Sequence, residues 1–358
     1  MTSRSCSSGA RRRFLAAAVA AGFLPNVVLG QTQTYPVGRA LLGVTPGTTR
    51  PPTPQGIDIS ARGENTVLCK NGPVSARRPP EVACQVWYPA KVEMQDVQTP
   101  IAQAINPARP AYPLILYAHA KRRWITCPEN VHERLSQGLA DYTHDFRRAD
   151  RLLSQLAAHG FVVAAPDLGW LVETFELGDW SGVGGLPRAR ILLAVYDYLQ
   201  RNSRNWRIDT SRLGLIGHST GGAAVLSLPE KLPQTKFIGL IAPGGPEHVL
   251  AKVRRSPATM VIVSTLEQQL VHDPVKYLYD PAPSPKVLVR LEGANHLGFT
   301  DLCTEDNKVC MDGEPPAFID RATQQNIAAR YLSAMARLFI LEDRSALAVL
   351  REATQAQL

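Results

Sequence analysis

The chain has 358 residues, 45% hydrophobic and 20% charged, which is enough to bury a full core and lies outside the compositions of disordered, collagenous and disulfide-scaffold proteins. Its formal net charge of +8 falls to +4 if Arg4, Arg11, Arg12 and Arg13 leave with the N-terminal segment, which holds no Asp or Glu before Gln31. The remaining Lys and Arg are scattered and lack aromatic interleaving, so no nucleic-acid partner is expected.

Arg11-Arg12-Arg13-Phe14-Leu15 precedes an apolar run over 16–24, the pattern of a twin-arginine export signal. Val28-Leu29-Gly30 suits a signal peptidase, so residues 1–30 are expected to be removed and the mature protein to be periplasmic or secreted. The apolar run is shorter than the ~20 residues that a spanning helix needs, and no membrane span is expected in the mature chain. Residues 31–55, rich in Pro, Thr and Gly without hydrophobic period, read as an extended arm. Residues 56–358 show neither repeat nor long linker and read as one domain.

Two β-like runs, 66–69 and 82–88, open that domain, and Leu114-Ile115-Leu116-Tyr117-Ala118 then has the apolar continuity of a buried parallel strand. Residues 148–159 have helical spacing with Leu152, Leu153 and Leu156 on one face, and Gly160 stops the helix before a strand over 161–165. The same alternation recurs as a helix over 189–199, strands over 213–216, 237–241, 260–263 and 287–291, and a closing helix over 321–341. Strands alternating with helices predict an α/β fold whose central sheet is mainly parallel and flanked by helices.

Cleavage would leave Cys69, Cys84, Cys127, Cys303 and Cys310, and an oxidising compartment permits disulfides. Cys303 and Cys310 bracket a short polar loop and form the first candidate pair; Cys69 and Cys84, on the two early β-like runs, form the second as the staple of a hairpin. Neither Cys-x-x-Cys nor paired His spacing is present, so no metal site is expected.

The chemistry concentrates at Gly217-His218-Ser219-Thr220-Gly221, which follows an apolar strand and precedes the helix former Ala223-Ala224-Val225-Leu226. Strand, sharp turn and helix are what a Gly-x-Ser-x-Gly nucleophile elbow requires: the serine is held at strained backbone angles, and the glycines let neighbouring chain approach. Ser219 is therefore the candidate nucleophile, at a helix N-terminus whose free N–H groups are aimed at a developing oxyanion.

A serine hydroxyl needs a base to take its proton and a carboxylate to hold that base in one tautomer. Of the histidines after Ser219, His248 comes before any suitable acid and His272 sits in a polar loop, whereas His296 in Gly293-Ala294-Asn295-His296 follows a strand and is the candidate base. The acid falls in the loop after 260–263: Glu267, where strand passes into loop, is preferred, and Asp273 before Pro274 is the alternative. His218 is read as a packing residue.

From about 82 to 341 the chain resembles the polyester hydrolase, cutinase-like lipase and platelet-activating-factor acetylhydrolase-like branch of the α/β-hydrolases, related to dienelactone hydrolases. The resemblance is carried by Val86-Trp87-Tyr88-Pro89, 113–119, His159-Gly160-Phe161-Val162-Val163, the elbow and the Gly293-to-His296 motif. It implies the α/β-hydrolase fold, a structural role for His119, and the Thr220 and Lys121 N–H groups as the pair of oxyanion donors. Here Ala118-His119-Ala120-Lys121 stands where the group has His-Gly, and Glu267 where it mostly has Asp. An apparent insertion over 122–145 could form a small cap, and Trp124 and Trp170 are candidate pocket walls.

The expected activity is serine ester hydrolysis through an acyl-enzyme, without metal or organic cofactor, on an ester met outside the cytoplasm: a lipid, a polyester or a xenobiotic ester. Two alternatives remain open, a catalytically silent binding protein and an acyltransferase or perhydrolase on the same fold. Acyl chain length and oligomeric state are not written in any motif.

Overall fold

A computed structural model describes residues 34–44, 68–69, 72–73, 82–92, 101–120, 148–168, 187–245, 247–268, 270, 272–301 and 315–358. The apolar runs become strands: β4 (Val82–Pro89), β5 (Tyr112–Ala118), β6 (Val162–Pro166), β7 (Ile208–His218), β8 (Thr235–Ile241), β9 (Ala258–Ser264) and β10 (Lys286–Leu291). With β1 (Val37–Val44) and β11 (Gln355–Gln357) they build a nine-stranded sheet of order β1-β4-β6-β5-β7-β8-β9-β10-β11. Pairing is parallel from β6 through β10 and antiparallel toward both edges. This is the mainly parallel α/β arrangement anticipated from the alternation of strands and helices.

Parallel strands with both faces apolar must be covered on both sides. On one side Leu114, Leu116, Leu213, Leu215, Ile238 and Leu240 pack in one core with residues of α2 (Pro187–Arg201) and α3 (Thr220–Leu226). On the other, Ile115, Tyr117, Ile216, Met260 and Ile262 pack with residues of α1 (Asp150–Ala158) and α4 (Arg321–Ile340). The period of two along each strand thus divides the core into two layers. Gly239 makes room for this: a Cβ there would run into Leu332 of α4.

From β5 the chain crosses through α1 to β6 on one side and returns through α2 to β7 on the other. The order reverses between β5 and β7, and in such sheets a crevice opens outside the C-terminal ends of the strands at that point. The exits of β5 and β7 therefore decide where chemistry can sit.

Two early expectations change. The arm over 31–55 contributes a paired strand, β1, in which Val37, Ala40 and Leu42 are buried and whose register on β4 runs from Val37–Pro89 to Val44–Val82. Its short apolar pattern is masked by flanking Pro, Thr and Gly, and only its distant partner reveals it. The hairpin of the two early β-like runs is not formed: β2 (Leu68–Cys69) pairs with β3 (Gly72–Pro73), while β4 lies between β1 and β6. Cys69 and Cys84 therefore do not form the expected disulfide. Cys84 is a free, fully buried thiol, and burial pushes its pKa up so that it stays protonated.

The candidate signal at 1–30, the insertion at 122–145, Cys127, and the Cys303 and Cys310 pair lie outside the described residues. Among the described residues no helix is long and apolar enough to cross a membrane.

Candidate active site

Ser219 is the single residue between β7 and α3, at φ 54° and ψ −124°. A side chain in that region costs on the order of 1–3 kcal/mol and persists only where its surroundings over-determine it. Three main-chain bonds do so: the Ser219 N–H donates to Ile241 O at 2.9 Å, and its carbonyl accepts from Gly222 N–H at 2.8 Å and Gly244 N–H at 2.9 Å. The neighbouring glycines remove what would block the turn. A Cβ on Gly217 would strike the backbone of Gly221, and one on Gly221 would overlap the Ala118 carbonyl oxygen. The elbow is thereby pressed against the exit of β5. Ser219 is 9% exposed, at the border between buried and accessible.

β9 and β10 run side by side in parallel, and their ladder continues past the strand ends: Thr265 N–H donates to Leu291 O at 3.1 Å and Leu266 N–H to Ala294 O at 3.0 Å. The next residue is Glu267. Its Oε2 lies 2.6 Å from Nδ1 of His296 and also accepts from Ser264 Oγ at 3.3 Å. A carboxylate at that distance holds the ring hydrogen on Nδ1 and leaves Nε2 with a free lone pair. The other candidate acid is elsewhere. Asp273 is exposed, and its Oδ1 accepts from Val275 N–H at 2.9 Å at the start of the helical turn Val275–Tyr279.

His218, beside the nucleophile position, is fully buried and donates from Nε2 to the carbonyl of His296 at 3.0 Å. Its ring lies 5.1 Å from that of His296 and 5.9 Å from Phe299. Burial, reinforced by the nearby His296, holds the His218 pKa well below the usual imidazole value, so this ring is neutral and cannot serve as a second cation. The elbow and the loop of His296 are thus tied together directly. No hydrogen bond joins Ser219 Oγ to His296 Nε2 among the described residues; such bonds commonly tighten only when substrate is bound.

At the exit of β5, His119 Nε2 accepts from Leu168 N–H at 2.8 Å, so its Nδ1–H donates to Ala120 O, also at 2.8 Å. The ring bridges the exits of β5 and β6, a structural position. Arg188, fully buried on α2, donates to the His119 carbonyl at 2.7 Å. On the other side of the crevice the Thr220 N–H occupies the first position of α3, where a helix offers no intrahelical acceptor. Lys121, Trp124 and Trp170 lie outside the described residues.

Sequence reasoning missed Arg188, Asn295 and Gln324. Gln324, at 0% exposure on α4, reaches the residue before His296 with its side-chain amide. The available signal was a pair of glutamines, Gln324 and Gln325, on the helix face that goes on to bury Ala328, Ala329 and Leu332.

No protein-family model matches the chain. Among curated proteins it is 33% identical over 150 residues to a cutinase from Thermobifida alba, covering 40% of this chain and 45% of that protein. Cutinase 2 from Thermobifida cellulosilytica is 31% identical over 148 residues, covering 40% and 52%. A bis(hydroxyethyl) terephthalate hydrolase from Streptomyces coelicolor is 30% identical over 146 residues, covering 40% and 43%. The chain thus spans about half the length of the curated relatives it matches. Over that stretch the chain is similar to cutinases and to a bis(hydroxyethyl) terephthalate hydrolase, and its mainly parallel sheet flanked by helices is an α/β-hydrolase arrangement.

Proposed function

We propose that this chain is a carboxylic ester hydrolase working through an acyl-enzyme on Ser219. The observation that carries the reading is the 2.6 Å contact between Glu267 and His296, on a loop bonded through His218 to the strained serine elbow. With its hydrogen held on Nδ1, His296 offers Nε2 as the base for the Ser219 hydroxyl. The serine oxygen attacks the ester carbonyl, His296 becomes an imidazolium facing the Glu267 carboxylate, and its new proton passes to the departing alcohol. Water then repeats the sequence on the acyl-enzyme, returning the acid and free Ser219. The N–H groups of Thr220 and Lys121 are the proposed donors to the oxyanion, worth roughly 3–4 kcal/mol each where they can be removed singly.

The names of the relatives, cutinase and bis(hydroxyethyl) terephthalate hydrolase, support an ester of a polymer or of a polymer fragment as substrate. The twin-arginine pattern of residues 1–30 supports action outside the cytoplasm, and Trp124 and Trp170 are proposed as pocket walls. A series of p-nitrophenyl esters of rising acyl length, run beside a polyester film, tests the reading. Turnover of short and medium acyl esters is expected. Activity confined to long chains would overturn the substrate class, and no turnover of any ester would overturn the hydrolase.

A further inference from the structure

The loop that carries His296 poses a problem in backbone chemistry. Asn295 is 1% exposed, outside any strand, so its N–H and C=O need partners that regular structure does not supply. Both are met by one side chain. Asn295 N–H donates to Gln324 Oε1 at 3.3 Å, and Gln324 Nε2 donates to Asn295 O at 2.7 Å. A primary amide carries a donor and an acceptor in the same plane, as a peptide does, so Gln324 reads Asn295 as a neighbouring strand would. The space is shaped for it: a Cβ on Gly298 would collide with Gln324 Oε1. Asn295 then closes the loop on itself, accepting from Gly298 N–H at 3.0 Å and donating to Pro315 O at 3.2 Å.

We infer that Gln324 is a positioning residue for His296, fixing the loop from the residue before it while His218 holds its carbonyl and Glu267 its ring. The inference rests on the hydrolase reading for its consequence in turnover. Without the clamp two buried backbone groups lose their partners, and the loop relaxes to find others. The ring then leaves the line between Glu267 and the serine, and a displacement of about 1 Å is enough to cost about 100-fold in rate. Substrate binding does not pass through Asn295, so KM is spared.

The test compares Gln324→Met, which keeps the side-chain length but neither hydrogen bond, with Leu332→Ala, a cavity on the same helix against the sheet at Gly239. Gln324→Met is expected to lower kcat on p-nitrophenyl butyrate about 30- to 100-fold with KM within threefold. Leu332→Ala lowers Tm at least as much and leaves kcat within twofold. Gly298→Ala, which pushes the amide aside without removing it, lowers kcat in the same way and serves should Gln324→Met fold poorly. Proton NMR gives a readout independent of turnover: the downfield resonance of the His296 Nδ1–H facing Glu267 is expected to shift or broaden in Gln324→Met and Gly298→Ala and to stay in place in Leu332→Ala. An unmoved resonance with kcat within twofold in the Gln324 and Gly298 variants would overturn the clamp. A wild-type chain that turns over no ester would overturn the hydrolase reading instead, and the resonance would still decide the clamp.

Discussion

The exits of β7 and β10 reach the same crevice by opposite means. At β7 the geometry is made locally: three glycines within six residues, a left-handed serine and main-chain hydrogen bonds to β8 and its exit hold the turn. At β10 almost nothing is local. His296 is placed by Glu267 from β9, His218 from β7 and, through Asn295, Gln324 from α4. A turn that depends on absent side chains writes itself into a short motif, whereas a loop held by distant side chains leaves little trace near itself.

That contrast predicts different sensitivities. Glu267→Gln should have the largest effect, because a neutral amide no longer stabilises the imidazolium or its tautomer: about 10³–10⁴-fold lower kcat, with little change in KM. Asp273→Asn, at an exposed turn start, should leave kcat within twofold. Steady-state kinetics on one ester decides between them, and equal losses would return Asp273 to the site.

The β7 exit should break through packing rather than charge. Gly221→Ala places a methyl group where the Ala118 carbonyl oxygen already lies, and that oxygen is backbone and cannot swing away. Overpacking of this kind should cost about 3 kcal/mol, read as a lower Tm and a lower urea midpoint. A soluble Gly221→Ala protein with unchanged Tm would show that the elbow has more room than described.

His218 belongs to both exits and should give the smallest effect, visible in pH. Its pKa is held well below the usual value in the folded protein, chiefly by burial, while an unfolded histidine titrates near 6.5. The unfolded chain therefore takes up a proton first as pH falls: the stability is present above about pH 6.5 and is lost as pH drops toward the folded value. Between pH 6.5 and 5.5 one such group contributes about 1 kcal/mol to the loss. His159, depressed in the same direction mainly by burial, adds a slope of the same sign and stays in the variant. His218→Gln, which keeps an N–H donor for the His296 carbonyl, should lose less Tm than wild type over that range. An identical pH dependence would mean that His218 is not buried neutral.

What was legible follows the same division. Ser219, the parallel strands and the helix over 321–341 announce themselves through a motif or through period, and the structure forms those elements within five residues of the expected limits. Glu267 was preferred because it follows directly on an apolar strand, and it does meet His296. Gln324 was not legible, because a polar residue inside a helix carries no sign of what it faces until the helix is docked. β1 was hidden for a related reason: its partner, β4, lies more than thirty residues away, and pairing rather than composition makes it a strand. The Cys69–Cys84 pairing failed because two β-like runs close in sequence need not pair with each other.

The central claim, that the elbow serine is an activated nucleophile served by His296, is tested most directly by treating the full chain with a fluorophosphonate and mapping the adduct by mass spectrometry. One adduct is expected, on Ser219, formed at a rate that falls at least 100-fold in His296→Ala. An adduct elsewhere, none at all, or a labelling rate indifferent to His296 would contradict it.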